Sequence, residues 1–180
     1  SGNTWQGLNA NWLDNANWSG GAPPTTSQTA LIVVTPNNPV ISIGNGQAQN
    51  IILATGTALT VSSGRTLSMT GDLIMGGTFT ASPTSTLQLS TGSPAMPQVL
   101  AGLTLGNLTI GNTAGVTLIG DPILEGNLVI ASGASLSGSN QTLTVKGSWQ
   151  DQNSGGTGFF SDYSTVVMAA SKRRVNSGVR

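Results

Sequence analysis

Hydrophobic and polar positions alternate along this chain in short pulses. Runs of three to five residues, apolar at every second position, recur about every ten residues and are separated by Gly, Asn, Ser and Thr. Gly or Pro interrupts nearly every stretch long enough for an amphipathic helix, which argues against helix throughout. Strand character falls on 30–34, 40–43, 51–53, 58–61, 66–69, 73–75, 85–89, 103–105, 108–110, 116–119, 128–130, 142–145 and 165–168. Short strands at this spacing predict an all-β fold.

Repetition sharpens that expectation. A small polar residue, a large apolar one, any residue and a second apolar one occur at Asn50-Ile51-Ile52-Leu53, Asp72-Leu73-Ile74-Met75, Asn107-Leu108-Thr109-Ile110 and Asn127-Leu128-Val129-Ile130. A degenerate copy follows at Ser148-Trp149-Gln150-Asp151. Three of the four steps between copies span about 20 residues, the length of one β-solenoid turn. The step from Asp72 to Asn107 is far longer, and is expected to be one turn with a long insertion, or nearly two turns.

A longer period, of about 77 residues, lies on top of the short one. The segment from Asn50 to Leu59 matches the segment from Asn127 to Leu136, and Thr66-Leu67-Ser68-Met69 matches Thr142-Leu143-Thr144-Val145. Ser85-Thr86-Leu87 answers Ser164-Thr165-Val166, and Val99-Leu100-Ala101-Gly102 answers Val175-Asn176-Ser177-Gly178. The second copy is incomplete.

So short a strand cannot bury an apolar face alone. Stacked in register about 4.8 Å apart, successive turns give each strand two hydrogen-bonded neighbours and share one core. The expected fold is therefore a right-handed parallel β-helix (β-solenoid) of about seven turns, with a Trp-rich N-terminal cap over 1–28 and repeats over 29–180. Alternation directs Ile51, Leu53, Leu108, Ile110, Leu128 and Ile130 inward, with Ile52, Thr109 and Val129 outward. A β-sandwich fits the strand spacing equally well but gives no reason for a motif to return every turn.

Composition then narrows the chemistry. Charged residues make up 7% of the 180-residue chain, six basic and six acidic, with no His and no Cys. Ser and Thr together supply about a quarter of the chain. Imidazole and thiolate catalysis, their metal sites and disulfides lack their atoms, and nucleic-acid binding lacks its basic field. No apolar run is long enough to span a membrane as a helix. The opening Ser1-Gly2-Asn3 without Met fits either leader cleavage or a recombinant start. Of the acidic residues Asp14, Asp72, Asp121, Glu125, Asp151 and Asp162, only Asp121 and Glu125 are close in sequence. Asp72 and Asp151 are expected at equivalent rung positions several turns apart, and no Lys/Arg–carboxylate grouping is evident. Catalytic, metal and cofactor sites are thus expected to be absent. Gly155-Gly156-Thr157-Gly158 lacks the Asp that a calcium-binding nonapeptide needs. An ice-binding Thr array is not expected, because the outward series Ile52, Ile74, Thr109, Val129, Gln150 is mixed.

Two clusters remain as candidate contacts. Trp5, Trp12 and Trp18 are either packing residues of the cap or aromatic platforms for a glycan or partner. Lys172, Arg173 and Arg174, the one run of like charge, are either a solvated loop or an end-to-end or acidic-partner contact.

Trp5, Trp12 and the run Ala16-Asn17-Trp18-Ser19-Gly20-Gly21-Ala22-Pro23 resemble the opening of large secreted bacterial β-helix proteins, the autotransporter-like adhesins and modular surface fibres. Gly106-Asn107-Leu108-Thr109-Ile110 and Gly56-Thr57-Ala58-Leu59-Thr60-Val61 are similar to the turns that follow in that family. The resemblance implies export, a cell-surface or extracellular location, and a stalk, fibre or adhesive role without catalytic residues. The expected function is accordingly structural and adhesive, with head-to-tail self-association and a cell-surface glycan or matrix partner. The alternative is a carbohydrate-binding module built on the Trp-rich region; a polysaccharide-degrading β-helix enzyme ranks below both.

Overall fold

A computed structural model describes residues 1–169; Lys172, Arg173, Arg174 and the segment from Val175 to Gly178 lie outside them. The described chain is a parallel β-solenoid of about seven turns, with three strands to a full turn. Every pairing between named strands is parallel, and the regular helix is confined to two three-residue 3-10 segments. All thirteen predicted strand positions are occupied by strands. Further ones, such as Gly46–Ala48, Gln98–Leu100 and Phe159–Phe160, carry too few large apolar residues or too little length to announce themselves.

One face is a single six-stranded sheet of Gly46–Ala48, Thr66–Met69, Thr86–Ser90, Asn107–Gly111, Leu128–Ile130 and Trp149–Asp151. We call it the third face, because it closes each turn. Its register aligns Leu67, Leu87, Leu108, Leu128 and Trp149 in one inward column. Ala48, Met69, Leu89, Ile110, Ile130 and Asp151 form a second. Along these columns one register step equals the short period of the motif. The apolar members of both columns are buried up to Trp149, which is half-buried. Each buried Leu or Ile contributes about 1.5–3 kcal/mol through the water it sheds.

The first face carries Thr29–Ile32, Ile51–Leu53 and Leu73–Met75, and then, after an interruption, Gln98–Leu100, Val116–Leu118, Leu136–Ser137 and Phe159–Phe160. The second face runs through Val40–Ile41, Ala58–Val61 and Thr78–Ala81, and resumes at Thr104–Leu105, Ile123–Leu124, Thr142–Val145 and Thr165–Met168. Ile51, Leu53, Leu108, Ile110, Leu128 and Ile130 are buried, as alternation requires.

The repeated motif does not mark one face. Ile51–Leu53 and Leu73–Met75 lie on the first face, whereas Leu108–Ile110, Leu128–Ile130 and Trp149–Asp151 lie on the third. The long step from Asp72 to Asn107 is therefore nearly two turns, one and two-thirds from the first face to the third, and it includes the long connection 91–97. The longer repeat behaves alike. Ile51–Leu53 (first face) matches 128–130 (third), and Thr66–Met69 (third) matches Thr142–Val145 (second). What recurs is a local strand–turn–strand unit. Its turns at Ala54 to Thr57 and Ala131 to Ala134 are closed by Thr57 N–H to Ala54 O at 3.1 Å and Ala134 N–H to Ala131 O at 3.0 Å. Gly56 (φ 83°) and Gly133 (φ 80°) hold the left-handed position in each. Any of the three faces accepts such a unit, so a sequence repeat need not be a stacking repeat. Asp72 and Asp151 consequently lie on different faces, and so do the members of the series from Ile52 to Gln150.

The segment 1–28 winds in the same sense. Gly2–Thr4 pairs with Thr29–Ile32, Gly2 opposite Thr29, and Asn11 bridges Val40 in parallel. Trp5, Trp12 and Trp18 enter the same core cluster as the solenoid residues. Trp18 packs edge-on against both others, with centroids 5.1 Å from Trp5 and 4.8 Å from Trp12.

Candidate functional site: a polar groove along one corner

The connections from the third face to the first follow one another at a single corner. Positions 49–50 and 70–72 make that passage in two or three residues, whereas 91–97 uses seven. Together with 26–27 they line a groove of about 580 Å³ that crosses four consecutive turns parallel to the solenoid axis. The longer connection also accounts for the interruption of the first face, since Leu73–Met75 has no ladder to Gln98–Leu100.

Amide and hydroxyl side chains tie the corner together turn by turn. Thr70 Oγ1 donates to Thr26 O at 2.6 Å. Asn50 Oδ1 accepts the backbone N–H of Asp72 at 2.8 Å, while its Nδ2 donates to Thr29 Oγ1 at 3.2 Å. Across the interruption Asp72 Oδ1 accepts the Val99 N–H at 2.9 Å, replacing the ladder bond that is missing there. Beneath the 91–97 connection Gln98 and Asn112 are buried. Asn112 Nδ2 donates to Met96 O and to Gln98 Oε1, each at 2.8 Å, and Gln98 Nε2 donates to Gly71 O at 2.7 Å. A buried amide left without partners costs about 1–3 kcal/mol, so this network fixes the seven-residue connection against the preceding turn.

Four polar groups of the groove are left over. The side chains of Thr26, Gln49 and Ser93, and the second carboxylate oxygen of Asp72, have no hydrogen-bond partner among the described residues. Pro94, Met96 and Pro97 add apolar surface beside them. The described cations Arg65 and Lys146 lie elsewhere.

The other carboxylates are each engaged in their own neighbourhood. Asp14 caps the 3-10 segment Asn15–Asn17, accepting from Asn9 Nδ2 at 2.7 Å and from the Ala16 N–H at 3.0 Å. The Asn9 amide, then the Ala16 N–H, holds its pKa below the ordinary 3.8. Asp151 ends the second inward column of the third face and accepts from Asn153 Nδ2 and N–H and from the Gly158 N–H. The Asn153 side chain foremost lowers its pKa below 3.8. Asp121 accepts the Thr142 N–H at 2.6 Å, and Asp162 accepts from Ser137 Oγ. Glu125 pairs with Lys146 at 2.7 Å, one turn on. That is a basic–acidic grouping the linear sequence conceals, because its members stand a full turn apart along the chain. Among the described residues no three His, Cys, Asp or Glu side chains converge as metal ligands.

The sequence-predicted Trp cluster is placed in the interior. Trp5, Trp12 and Trp18 expose 0%, 0% and 3% of their surface. A stacking platform needs a free ring face, and these indoles spend theirs on one another. Trp5 Nε1 donates to Asn37 O and Trp18 Nε1 to Trp12 O, both at 2.7 Å. The corner groove is absent from the sequence reading, since it has no aromatic residue and its motif members Asn50 and Asp72 announce strands, not a cleft. Its one linear trace was the long step from Asp72 to Asn107.

Fold and groove together define a parallel β-solenoid with a polar groove along one corner. The model of a family described as a domain of unknown function (DUF8693) matches residues 4–92. That span takes in the Trp cluster and the groove as far as Gly92, and leaves Ser93 to Pro97 outside. No curated protein and no solved structure matches the chain. Among the described residues no helix is long and apolar enough to cross a membrane.

Proposed function

We propose that the chain is a structural and adhesive segment of an extracellular surface protein, holding a partner without transforming it. The observation that supports this most is the outward column of the third face. Gln47, Ser68, Gln88, Thr109, Val129 and Gln150 succeed one another there without a charge. Stacked ionised groups about 4.8 Å apart repel along every column, whereas hydroxyls and amides stack and hydrogen-bond. Ser68 Oγ indeed donates to Gln88 Oε1 at 3.3 Å. Such a surface suits many weak, uncharged contacts spread along a rod. The resemblance of the Trp-containing opening to secreted bacterial adhesins supports the location and the adhesive role. Beads coated with the chain are expected to be retained on cell surfaces or extracellular matrix from which uncoated beads wash away; equal wash-off contradicts the proposal.

Head-to-tail self-association belongs to the same reading. Phe159–Phe160 and Thr165–Met168 each pair on one side only among the described residues, whereas the far side of Thr4 is occupied by Ser19, whose N–H donates to Thr4 O at 2.9 Å. Unpaired strand edges are templates for a further strand. Sedimentation velocity is expected to show growing species as concentration rises, and monomers throughout the range contradict this part.

A further inference from the structure

We infer that the corner groove is a binding site for a single chain of neutral polysaccharide, laid lengthwise along the solenoid axis. The inference rests on the proposed adhesive reading and names the site and ligand class through which adhesion acts.

Four features of the groove converge on that ligand. First, it is open and long: equivalent corners of four successive turns line it, so it extends over about three spacings of ~4.8 Å. A pyranose ring has a length close to one such spacing, so consecutive sugars meet consecutive turns. Second, the free groups are of the right kind. Thr26, Gln49 and Ser93 offer neutral donors and acceptors, and the second oxygen of Asp72 is a strong acceptor for a sugar hydroxyl. Third, Pro94, Met96 and Pro97 supply apolar surface for the C–H face of a sugar ring. Fourth, the groove is organised before any ligand arrives. The buried Asn112–Gln98 pair holds the Met96 carbonyl, and Asp72 is held by Val99. Preorganisation removes ordering costs that would otherwise subtract from affinity.

Charge selects among glycans. No cation lines the groove and one carboxylate does. Uronate or sulfated chains would bring like charge against Asp72 with nothing to offset it, so they are discriminated against. An extended peptide is the competing occupant of such a cleft. It would need ladder partners, and Asp72 and Gln98 already occupy two of the backbone groups beside the sheet interruption, the Val99 N–H and Gly71 O.

The test uses the whole chain and titration calorimetry with neutral gluco-, manno- and xylo-oligosaccharides, from disaccharide to hexasaccharide. Oligogalacturonates and a library of uncharged peptides of matched length run in parallel. At least one neutral series is expected to bind, gaining affinity up to about four sugars and then levelling, as the number of lining turns implies. The double variant Gln49→Ala/Ser93→Ala removes two uncommitted side chains, so its melting temperature should match the parent while affinity falls about tenfold or more. Wild-type affinity in that variant overturns the inference, as does preference for oligogalacturonate or peptide. Retention of coated beads alongside failure of every neutral oligosaccharide overturns the groove assignment alone. Loss of bead retention as well overturns the adhesive reading beneath it.

Discussion

Asn107 Oδ1 accepts the backbone N–H of Asn127, one turn later, at 2.9 Å. Asn127 Oδ1 then accepts the N–H of Ser148 at 2.8 Å and its hydroxyl at 3.0 Å. Asn50 does the same for Asp72 on another face. The polar residue that heads the repeated motif is thus an inter-turn clasp, and the glycine before the residue it clasps (Gly71, Gly126 or Gly147) provides the room. A Cβ on Gly126 would sit 2.2 Å from Asn107 Oδ1, and one on Gly147 would sit 2.5 Å from the backbone oxygen of Gly126.

Asn127→Ala is therefore expected to destabilise the fold by about 0.5–1.5 kcal/mol, as its solvent-exposed backbone and hydroxyl partners lose their protein acceptor. Gly147→Ala is expected to destabilise it at least as much, because the obstructing atom is backbone and cannot swing away. Gly21→Ala is a useful contrast, since no atom within 4 Å obstructs its Cβ and only the left-handed φ of 73° opposes the side chain. Chemical denaturation of the three variants checks the ranking.

The three buried indoles should respond differently to Phe. Trp18→Phe strands the carbonyl of Trp12 and Trp5→Phe removes one of the two donors to Asn37 O, which keeps Thr35 Oγ1, whereas Trp12 Nε1 has no partner among the described residues. Beyond the shared loss of ring volume, the first two variants should lose about 1 kcal/mol more than Trp12→Phe. Equal losses in thermal melts would contradict the hydrogen-bond assignment.

Acid should loosen the last described turns through Asp151. Its native pKa lies below 3.8, so the carboxylate favours the folded state above that value. This contribution fades as pH falls from about 3.8 through the lower native pKa. Relative to the intrinsic rate at each pH, hydrogen exchange at Gly158 and Phe159 should accelerate across that window in the parent. In Asp151→Asn it should be faster already at neutral pH and show less change on acidification.

Salt should matter little. The Lys146–Glu125 pair is the one salt bridge among the described residues, and it is solvent-exposed. Pairs of this kind contribute about 0–1 kcal/mol. Raising ionic strength into the molar range, where screening acts over a few ångströms, should shift the urea midpoint only slightly with chloride as the anion. A large loss of stability would point to charge networks that the described residues do not form.

The fold was legible in this sequence because stacking repeats the same demand in every turn. Leu67, Leu87, Leu108 and Leu128 return once per turn since each must meet the one below it in register. Which face a copy occupies was not legible. Asn50 and Asn127 head near-identical segments on different faces, because a strand–turn–strand unit is complete within about ten residues and carries no mark of its rotational position. The groove was hidden for a related reason. Thr26, Gln49, Asp72 and Ser93 are ordinary residues of a Ser/Thr-rich chain, separated by about one turn each, and only the winding brings them together. The Trp cluster was conspicuous for the opposite reason: rare, bulky side chains stand out in such a composition, although here they serve the core.

Binding without turnover is the centre of the proposed function, and one measurement addresses it most directly. A neutral polysaccharide that the chain retains is incubated with it to equilibrium, and the length distribution of the polysaccharide is followed by size-exclusion chromatography with a reducing-end assay. Saturable binding with an unchanged length distribution and no new ends is the expected result. Progressive shortening, or new reducing or unsaturated ends in proportion to the protein added, would contradict it.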